Sequence, residues 1–260
     1  MKKKNYLNNK DLLHEIEKSK NSFCCFIDER YSIYDGIVDS KEEITQEYIN
    51  SLKEHIAQKK SKQDKTKKYT KDDIPTEGIV IRAMEHDHIP YGSERKQSKA
   101  KKPLDEKVKT NFPPFKHYYI YADEDGNLLE INVVGKSHWK NGVHNGEFDQ
   151  THGHLTENLA SMLMHLVERL AQKGNWRGYS YIEEMKGQAI VQLIQVVLQF
   201  NEKKSDNPFA YITSICNNSF LGVLNFEKKN QKIRDTILEE NNLSPSYTRQ
   251  NEDLNDLNKG

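Results

Sequence analysis

Apolar side chains recur at helical spacing in two neighbouring stretches near the carboxyl end of the chain, and this pattern predicts two long helices. At about 100° per residue, one side of residues 182–200 collects Ile182, Met185, Ala189, Leu193 and Val196, widened by Ile190, Ile194 and Val197. After a short polar turn, Pro208 suits the first position of the next helix, because its missing N–H needs no partner there. The apolar stripe of that helix is Phe209, Ile212, Cys216, Phe220 and Val223.

The polar side of the first helix is largely uncharged. It carries Glu184, Gln188, Gln192, Gln195 and Gln199, with Val191 among them. Removing an amide from water costs less than removing a charge, so this side is predicted to dock against a partner. An ordinary glutamine-rich surface is the alternative interpretation of the same pattern.

The polar side of the second helix changes from amides to lysines along its length. Its members are Ser214, Asn218, Leu221, Asn225, Lys228 and Lys232, with Lys229 adjacent. Amides hydrogen-bond to base edges, and lysines neutralise phosphates. This side is therefore a candidate nucleic-acid surface, and a solvated cationic face is the alternative.

Further helices are predicted from Thr156 to Gly174, over residues 8–20 and over residues 41–58. The helix after Thr156 places Leu155, Leu159, Met162, Leu163, Leu166 and Leu170 on one side, so three helices with short connections should form a bundle. Between the two groups of helices, strands are predicted over 78–83, 116–121 and 128–134. The last two are joined by a hairpin turn at 123–126 that ends in Asp-Gly.

Composition limits the classes of function. The chain has 260 residues and a formal net charge of +0, so binding to nucleic acid would require a local basic patch. The lysine-rich segments 59–71 and 92–102 are predicted to be loops. Cys24, Cys25 and Cys216 form no CxxC pair, which indicates neither a disulfide framework nor a cysteine zinc site. No apolar run approaches the ~20 residues of a membrane span, and no secretory signal is recognisable, so a cytoplasmic protein is expected.

Histidines and carboxylates raise two metal hypotheses. The HxH pairs His86/His88 and His152/His154 suit ligation from a strand, and His138 and His144 are near them in sequence. Neither pair lies in a convincing strand, so no metal site is predicted. The acidic residues 123–125 could belong to a metal-dependent nuclease, although the tip of a hairpin also favours them.

Several segments resemble the late-transcription sigma factor of large myovirus-type phages. They are Gly178-Tyr179-Ser180, Glu184-Met185, Phe200-Asn201-Glu202, Asn207-Pro208-Phe209-Ala210-Tyr211-Ile212-Thr213, Asn217-Asn218-Ser219-Phe220 and Glu227-Lys228-Lys229. The opening Asn5-Tyr6-Leu7-Asn8-Asn9-Lys10-Asp11-Leu12-Leu13 is similar to the start of the same family. The resemblance covers roughly residues 153–235 and this opening, and it is absent between them.

The resemblance implies a mainly α fold: a sigma region-2-like helical bundle with a small inserted β-containing module. Residues 1–22 would form an amino-terminal helix packed on the bundle, and 23–150 would be the inserted module with its hairpin and basic loops. Residues 151–240 would be the sigma region-2-like domain, and 241–260 a flexible tail.

The family's roles are carried over residue by residue. Binding to the β′ clamp coiled coil of host core RNA polymerase falls to Glu183, Glu184, Gln188, Gln192 and Gln195. Contact with AT-rich late-promoter DNA falls to Tyr211, Asn218, Asn225, Lys228, Lys229, Lys232 and Arg234. Tyr211 and Phe220 are candidates for stacking on exposed bases, but Phe220 also lies on the apolar stripe, which favours core packing.

The resemblance further implies a non-enzymatic protein without a cofactor, acting in the cytoplasm of the infected bacterium. A phage coactivator and the sliding clamp are the further partners that the family suggests, but the tail 251–260 contains no aromatic residue to support clamp binding. Leu221-Gly222-Val223-Leu224 also stands where the family carries more basic residues. The first alternative is a DNA-binding regulator that does not bind polymerase. The second is a Mg²⁺-dependent nuclease that uses Asp123 and Asp125.

Overall fold

The computed structural model describes residues 7–64, 67–92 and 107–251. It is 49% helical and 14% strand, with a five-stranded mixed sheet and a two-stranded sheet. The protein therefore has an α/β fold, and the predicted mainly α bundle with a small inserted β module is wrong. The predicted basic residues 93–102 and the tail residues 252–260 lie outside the described residues.

The chain divides into two compact units. The first comprises Met1–Ala160 and Val196–Pro208, and the second comprises Ser161–Gln195 and Phe209–Gly260. We refer to them as the sheet unit and the helical unit.

The sheet unit is built on five strands in the order β1-β5-β4-β3-β2. These strands are β1 (Cys24–Phe26), β2 (Gly36–Val38), β3 (Val80–Ala83), β4 (Lys116–Ala122) and β5 (Leu128–Ser137). β2 and β3 pair in parallel, and the other neighbours pair antiparallel. Two short strands, β6 (Trp139–Lys140) and β7 (Glu147–Phe148), form a separate antiparallel pair.

The prediction of β3, β4 and β5 from the sequence is confirmed, as is the hairpin between β4 and β5. Gly126 adopts a φ of 79°, which a glycine tolerates without a Cβ penalty, and its N–H donates to the carbonyl of Asp123 at 3.0 Å. The other four strands have only two or three residues each. Such short strands carry no recognisable alternation of apolar and polar positions, and for this reason the pattern misses them.

Helix α2 (Gln46–Gln63) packs on one face of the five-stranded sheet. Thr45 caps the helix by accepting a hydrogen bond from the Tyr48 N–H at 3.3 Å. The apolar side of α2 supplies Ile49 and Leu52 to the core. The sheet and its connections supply Val38, Ile44, Ile79, Ile81, Ala83, Tyr118 and Ile120. The predicted helix over 41–58 is displaced towards the carboxyl end, because Lys41–Glu43 form a separate 3₁₀ turn and α2 continues to Gln63. The prediction of a loop over 59–71 is therefore wrong for residues 59–63.

The opposite face of the sheet buries a cation among aromatic rings. The Arg82 guanidinium lies 3.9 Å from the ring centroids of both Tyr34 and Phe115. Its Nε donates to Nε2 of His117 at 2.9 Å, and His117 Nδ1 donates to the carbonyl of Tyr31 at 2.6 Å. Burial lowers the pKa of His117, so the imidazole is neutral and its Nε2 can accept a hydrogen bond from the Arg82 guanidinium.

Helix α1 (Asn9–Asn21) is tied to the segment that follows residue 196. Asn8 caps α1 by accepting from the Asp11 N–H at 2.8 Å. Near the other end of α1, the buried Lys20 Nζ donates to the carbonyl of Phe200 and to Glu202 Oε1, both at 2.6 Å. The end of α1 and the segment after residue 196 therefore meet inside the sheet unit through a buried ion pair.

The remaining helices are α3 (Glu157–Ala171), α4 (Ile182–Val196) and α5 (Pro208–Glu240). The side chain of Thr156 caps α3 by accepting from the Leu159 N–H at 3.2 Å. Each helix buries most of the side that its periodicity predicts, and the fully or nearly fully buried residues include Leu163, Leu166, Leu170, Met185, Ala189, Leu193, Ile212, Cys216 and Phe220. Phe209, predicted on the apolar stripe of α5, is 42% exposed, so that part of the prediction is wrong. No described helix combines the length and the apolar composition needed to cross a membrane.

After α5 the chain turns back onto the helix. Asn242 adopts a left-handed φ of 56°, and the Leu243 N–H donates to the carbonyl of Leu238 at 2.8 Å, which is the hydrogen-bond pattern of a Schellman cap. Ser246 then bonds to both carboxylate oxygens of Asp235, at 2.8 and 2.7 Å. Residues 241–251 are thus anchored to the side of α5.

Candidate protein and nucleic-acid interfaces

The polar side of α4 faces outward. Glu184, Gln188 and Gln195 are exposed, and Gln192 is partly buried. The inward side is formed by Met185, Ala189 and Leu193. Gln199 lies beyond the end of α4 in a 3₁₀ turn, where its amide donates to the carbonyls of Thr110 and Asn111 at 3.1 and 2.6 Å. It is therefore part of the sheet unit and does not continue the outward face of α4.

Two aliphatic side chains interrupt the amides on this outward face. Val191 is 49% exposed and Ile194 is 53% exposed. The prediction that Ile194 widens the buried side is wrong. A position nine residues after Met185 lies about 180° from it around an α-helix, and this rotation is the signal in the sequence that identifies Ile194 as an outward residue.

Glu183 is held by an ion pair within the helical unit. Its carboxylate lies 2.6 Å from Lys186 Nζ, which also contacts Glu168 of α3 at 3.0 Å. These two carboxylates raise the pKa of Lys186. The Glu183 side chain is nevertheless well exposed, so a partner could still contact it.

The inward side of α5 contains Phe220, for which the sequence suggested either base stacking or core packing. Phe220 is fully buried, and its ring meets the Trp176 ring edge-on with centroids 5.3 Å apart. Phe220 is therefore a core residue and is not available for stacking on bases. Trp176 and Cys216 are also buried, so the prediction that Cys216 lies on the apolar stripe is confirmed.

The outer side of α5 gathers most of the predicted DNA-binding residues. Asn218, Asn225, Lys228, Lys229 and Lys232 are exposed, and at 3.6 residues per turn they fall within an arc of about 100°. We refer to these five residues as the amide-lysine face. No carboxylate among the described residues forms an ion pair with the three lysines.

Tyr211 and Arg234 occupy different positions relative to the amide-lysine face. Tyr211 falls within its arc but is partly buried, and this burial raises its pKa. Arg234 is exposed, but it lies about 160° around the helix from Asn218. The structure therefore does not bring Arg234 onto the same face as the lysines.

A cleft between α4 and α5 joins the two predicted surfaces. It encloses about 430 Å³ and is lined by Glu184, Gln188, Gln192, Asn218, Ser219, Gly222, Val223 and Phe226. Residues to which the resemblance gives a role in binding polymerase and residues to which it gives a role in binding DNA thus line one cavity. In its wall, the buried Ser219 hydroxyl has no hydrogen-bond partner among the described residues.

The residues behind the metal hypotheses have structural roles in the sheet unit. His88 Nε2 bonds to the carbonyl of Ser137 at 3.1 Å, and the buried His138 ring packs on Phe112 with centroids 4.1 Å apart. Asp123 Oδ1 accepts from the Asn127 N–H at 2.7 Å within the hairpin. Within residues 7–64, 67–92 and 107–251, no group of three or more histidine, cysteine or acidic side chains is placed to hold a metal ion.

Comparisons of the chain with family models, with curated proteins and with solved structures find no match.

Proposed function

We propose that this protein is a sigma-type transcription initiation factor, which binds core RNA polymerase through α4 and AT-rich promoter DNA through α5. The observation that carries the proposal is the pairing of two neighbouring helices with different exposed chemistry. α4 presents amides and aliphatic side chains, whereas α5 presents amides and lysines. In this role the protein performs no chemistry of its own, because the polymerase synthesises the RNA.

The composition of the α4 surface supports docking to a protein. Exposed Val191 and Ile194 stand beside Gln188 and Gln195. Such a surface gains free energy from burying its aliphatic groups, and its amides lose less than charges would on leaving water. A coiled coil with its own mixed apolar and polar side is a suitable partner for it.

The composition of the α5 surface supports binding to DNA. The chain carries no net charge, so the three lysines of the amide-lysine face supply a local attraction to phosphates. Asn218 and Asn225, on the same face, can donate to and accept from base edges.

The shared cleft favours one alternative, a DNA-binding regulator that does not bind polymerase. Gln188 and Gln192 line the same cavity as Asn218, so the α4 amides could belong to the DNA site. In that case a variant of the amides would lose affinity for DNA as well.

The two functions are separated by capturing core RNA polymerase from a bacterial lysate on the tagged full-length chain. We expect the double variant Val191→Asp/Ile194→Asp to capture at least about tenfold less polymerase, because two charges would be buried in the interface. The variant should bind promoter DNA as well as the wild type does. Met164→Asp is the matched control, since Met164 is similarly exposed on α3, and it should capture polymerase normally.

A second variant, Glu184→Lys/Gln188→Ala/Gln192→Ala, tests whether the α4 side of the cleft binds polymerase or DNA. The initiation-factor proposal expects a loss of polymerase capture and of run-off transcription from AT-rich late-promoter templates, with binding to bare DNA retained. A wild-type chain that captures no polymerase, together with a triple variant that loses DNA binding, would establish the regulator instead.

A further inference from the structure

The second half of α5 carries an exposed apolar stripe. Phe226, Ile233 and Ile237 are 58%, 50% and 54% exposed, and Asn230 lies between them. The steps between these residues are four, three and four, as in a coiled-coil seam. The same steps in the first half of the helix connect Ile212, Cys216, Ser219 and Val223, all of which are buried. The stripe thus continues the buried side of α5 into solvent.

The returning segment 241–251 does not cover this stripe. It bonds to α5 through Gln231 and Asp235, which lie about 160° and 200° around the helix from Ile233. Leu243 and Tyr247 of the segment are themselves exposed. An apolar stripe of this kind on a soluble helix is typical of an interaction site.

Charged residues beside the stripe discriminate between possible pairings of α5 with a second copy. Glu227 and Arg234 lie along one edge, and Lys229 lies along the other. A parallel pair would set each Lys229 against Arg234 of the other copy, which is repulsive. An antiparallel pair would set each Glu227 against Arg234 of the other copy, which makes two attractive contacts.

The geometry points to a homodimer in which the second halves of two α5 helices pack antiparallel through Phe226, Asn230, Ile233 and Ile237. Phe226 of one copy faces Ile237 of the other, and Asn230 faces Ile233. Because this seam is short and includes a polar position, the dimer forms reversibly with concentration. The inference does not rest on the proposed role in transcription, although Phe226 also lines the cleft between α4 and α5.

Sedimentation of the full-length chain over a range of concentrations tests the dimer. We expect the weight-average mass to rise from monomer towards dimer with increasing concentration. Glu227→Arg and Arg234→Glu should each weaken association about tenfold or more, because two attractive contacts become repulsive. The double variant Glu227→Arg/Arg234→Glu restores both contacts with reversed polarity, so it should dimerise like the wild type.

Ile233→Asp/Ile237→Asp should remain monomeric, with a circular dichroism spectrum that matches the wild type because both positions are already exposed. A wild-type chain that stays monomeric at every concentration overturns the inference. It is equally overturned if the charge-swapped double variant associates as weakly as the single variants, or if the stripe variant still forms the dimer.

Discussion

At the scale of single residues, the sheet unit buries Arg82 among aromatic rings and keeps other interior ionisable side chains paired or neutral. Lys20 is paired with Glu202, and both side chains are almost fully buried. Burial lowers the pKa of Lys20, whereas Glu202 raises it. Burial outweighs the exposed Asp87 carboxylate, 3.7 Å from His88 Nδ1, and lowers the pKa of His88 to about 4; burial lowers that of His138 to about 3. These two rings are therefore neutral in the folded protein at neutral pH.

The neutral histidines predict a loss of stability in mild acid. A histidine of ordinary pKa, 6.5, takes up a proton in the unfolded chain as the pH falls below that value, while the buried rings do not. Their stabilisation is therefore complete above pH 6.5 and declines towards pH 4. As the pH falls from 7.5 to 5, we expect each ring to reduce the free energy of unfolding by about 2 kcal/mol. Urea titration at the two pH values measures this change.

The matched variant for this effect is His88→Gln, which keeps a donor for the Ser137 carbonyl but cannot titrate. Its loss of stability between the two pH values should be about 2 kcal/mol smaller than that of the wild type, while His117 and His138 still contribute theirs. An identical loss in both proteins would show that His88 is not responsible for the pH dependence.

At the scale of elements, α5 runs for 33 residues without interruption, although Gly222 lies within it. A glycine inside a helix costs about 0.5–1 kcal/mol relative to alanine. A Cβ added at Gly222 would have no neighbouring heavy atom within 4 Å, because the residue borders the cleft. The position is therefore open to substitution.

We expect Gly222→Ala to raise the free energy of unfolding by about 0.5–1 kcal/mol, as measured by urea denaturation. Gly126→Ala is the contrasting variant, since the φ of 79° at Gly126 is unfavourable for alanine, and it should be destabilising. If Gly222→Ala were destabilising instead, the helix would not be regular at that position.

At the scale of the whole molecule, a net charge of +0 means that no general cationic field attracts DNA. The affinity for DNA should then depend on the three lysines of the amide-lysine face. No carboxylate among the described residues forms an ion pair with them. Substituting these lysines should therefore have a larger effect than it would in a strongly basic protein.

We expect Lys228→Ala/Lys232→Ala to weaken binding to promoter DNA. The negative slope of log affinity against log salt concentration should become shallower by about 2. Each phosphate contact contributes about 0.9 to that slope. Fluorescence anisotropy at several salt concentrations measures both quantities. Arg234→Ala is the control, because Arg234 lies on another side of α5, and an equal reduction of the slope in that variant would contradict this placement.

The helices and the longer strands could be predicted because their causes are local. Asn8, Thr156 and Pro208 begin helices at the residues where the sequence placed them, and the Asp-Gly turn closes the hairpin. The fold class could not be predicted in the same way. β1 and β2 owe their pairing to partners far along the chain, residues 135–137 and 81–83, and three residues carry no periodic signal.

The candidate interfaces were predictable to a similar extent. Helical periodicity placed Gln188, Gln195, Asn218 and Lys228 outward, and the structure agrees. It did not show that Gln188 and Asn218 line one cleft, because that depends on how α4 and α5 pack. The Lys20–Glu202 pair was equally inaccessible, since its partners are 182 residues apart.

The sequence by itself determined most of the helical segments, the starts of α1, α3 and α5, and most of the residues that these helices bury. Those properties follow from side-chain spacing and capping within a few residues. The tertiary structure decided the five-stranded sheet, the buried cations, the shared cleft and the exposed stripe at the end of α5. Each of these depends on contacts between distant residues, and the pattern of a single segment carries no information about its distant partners.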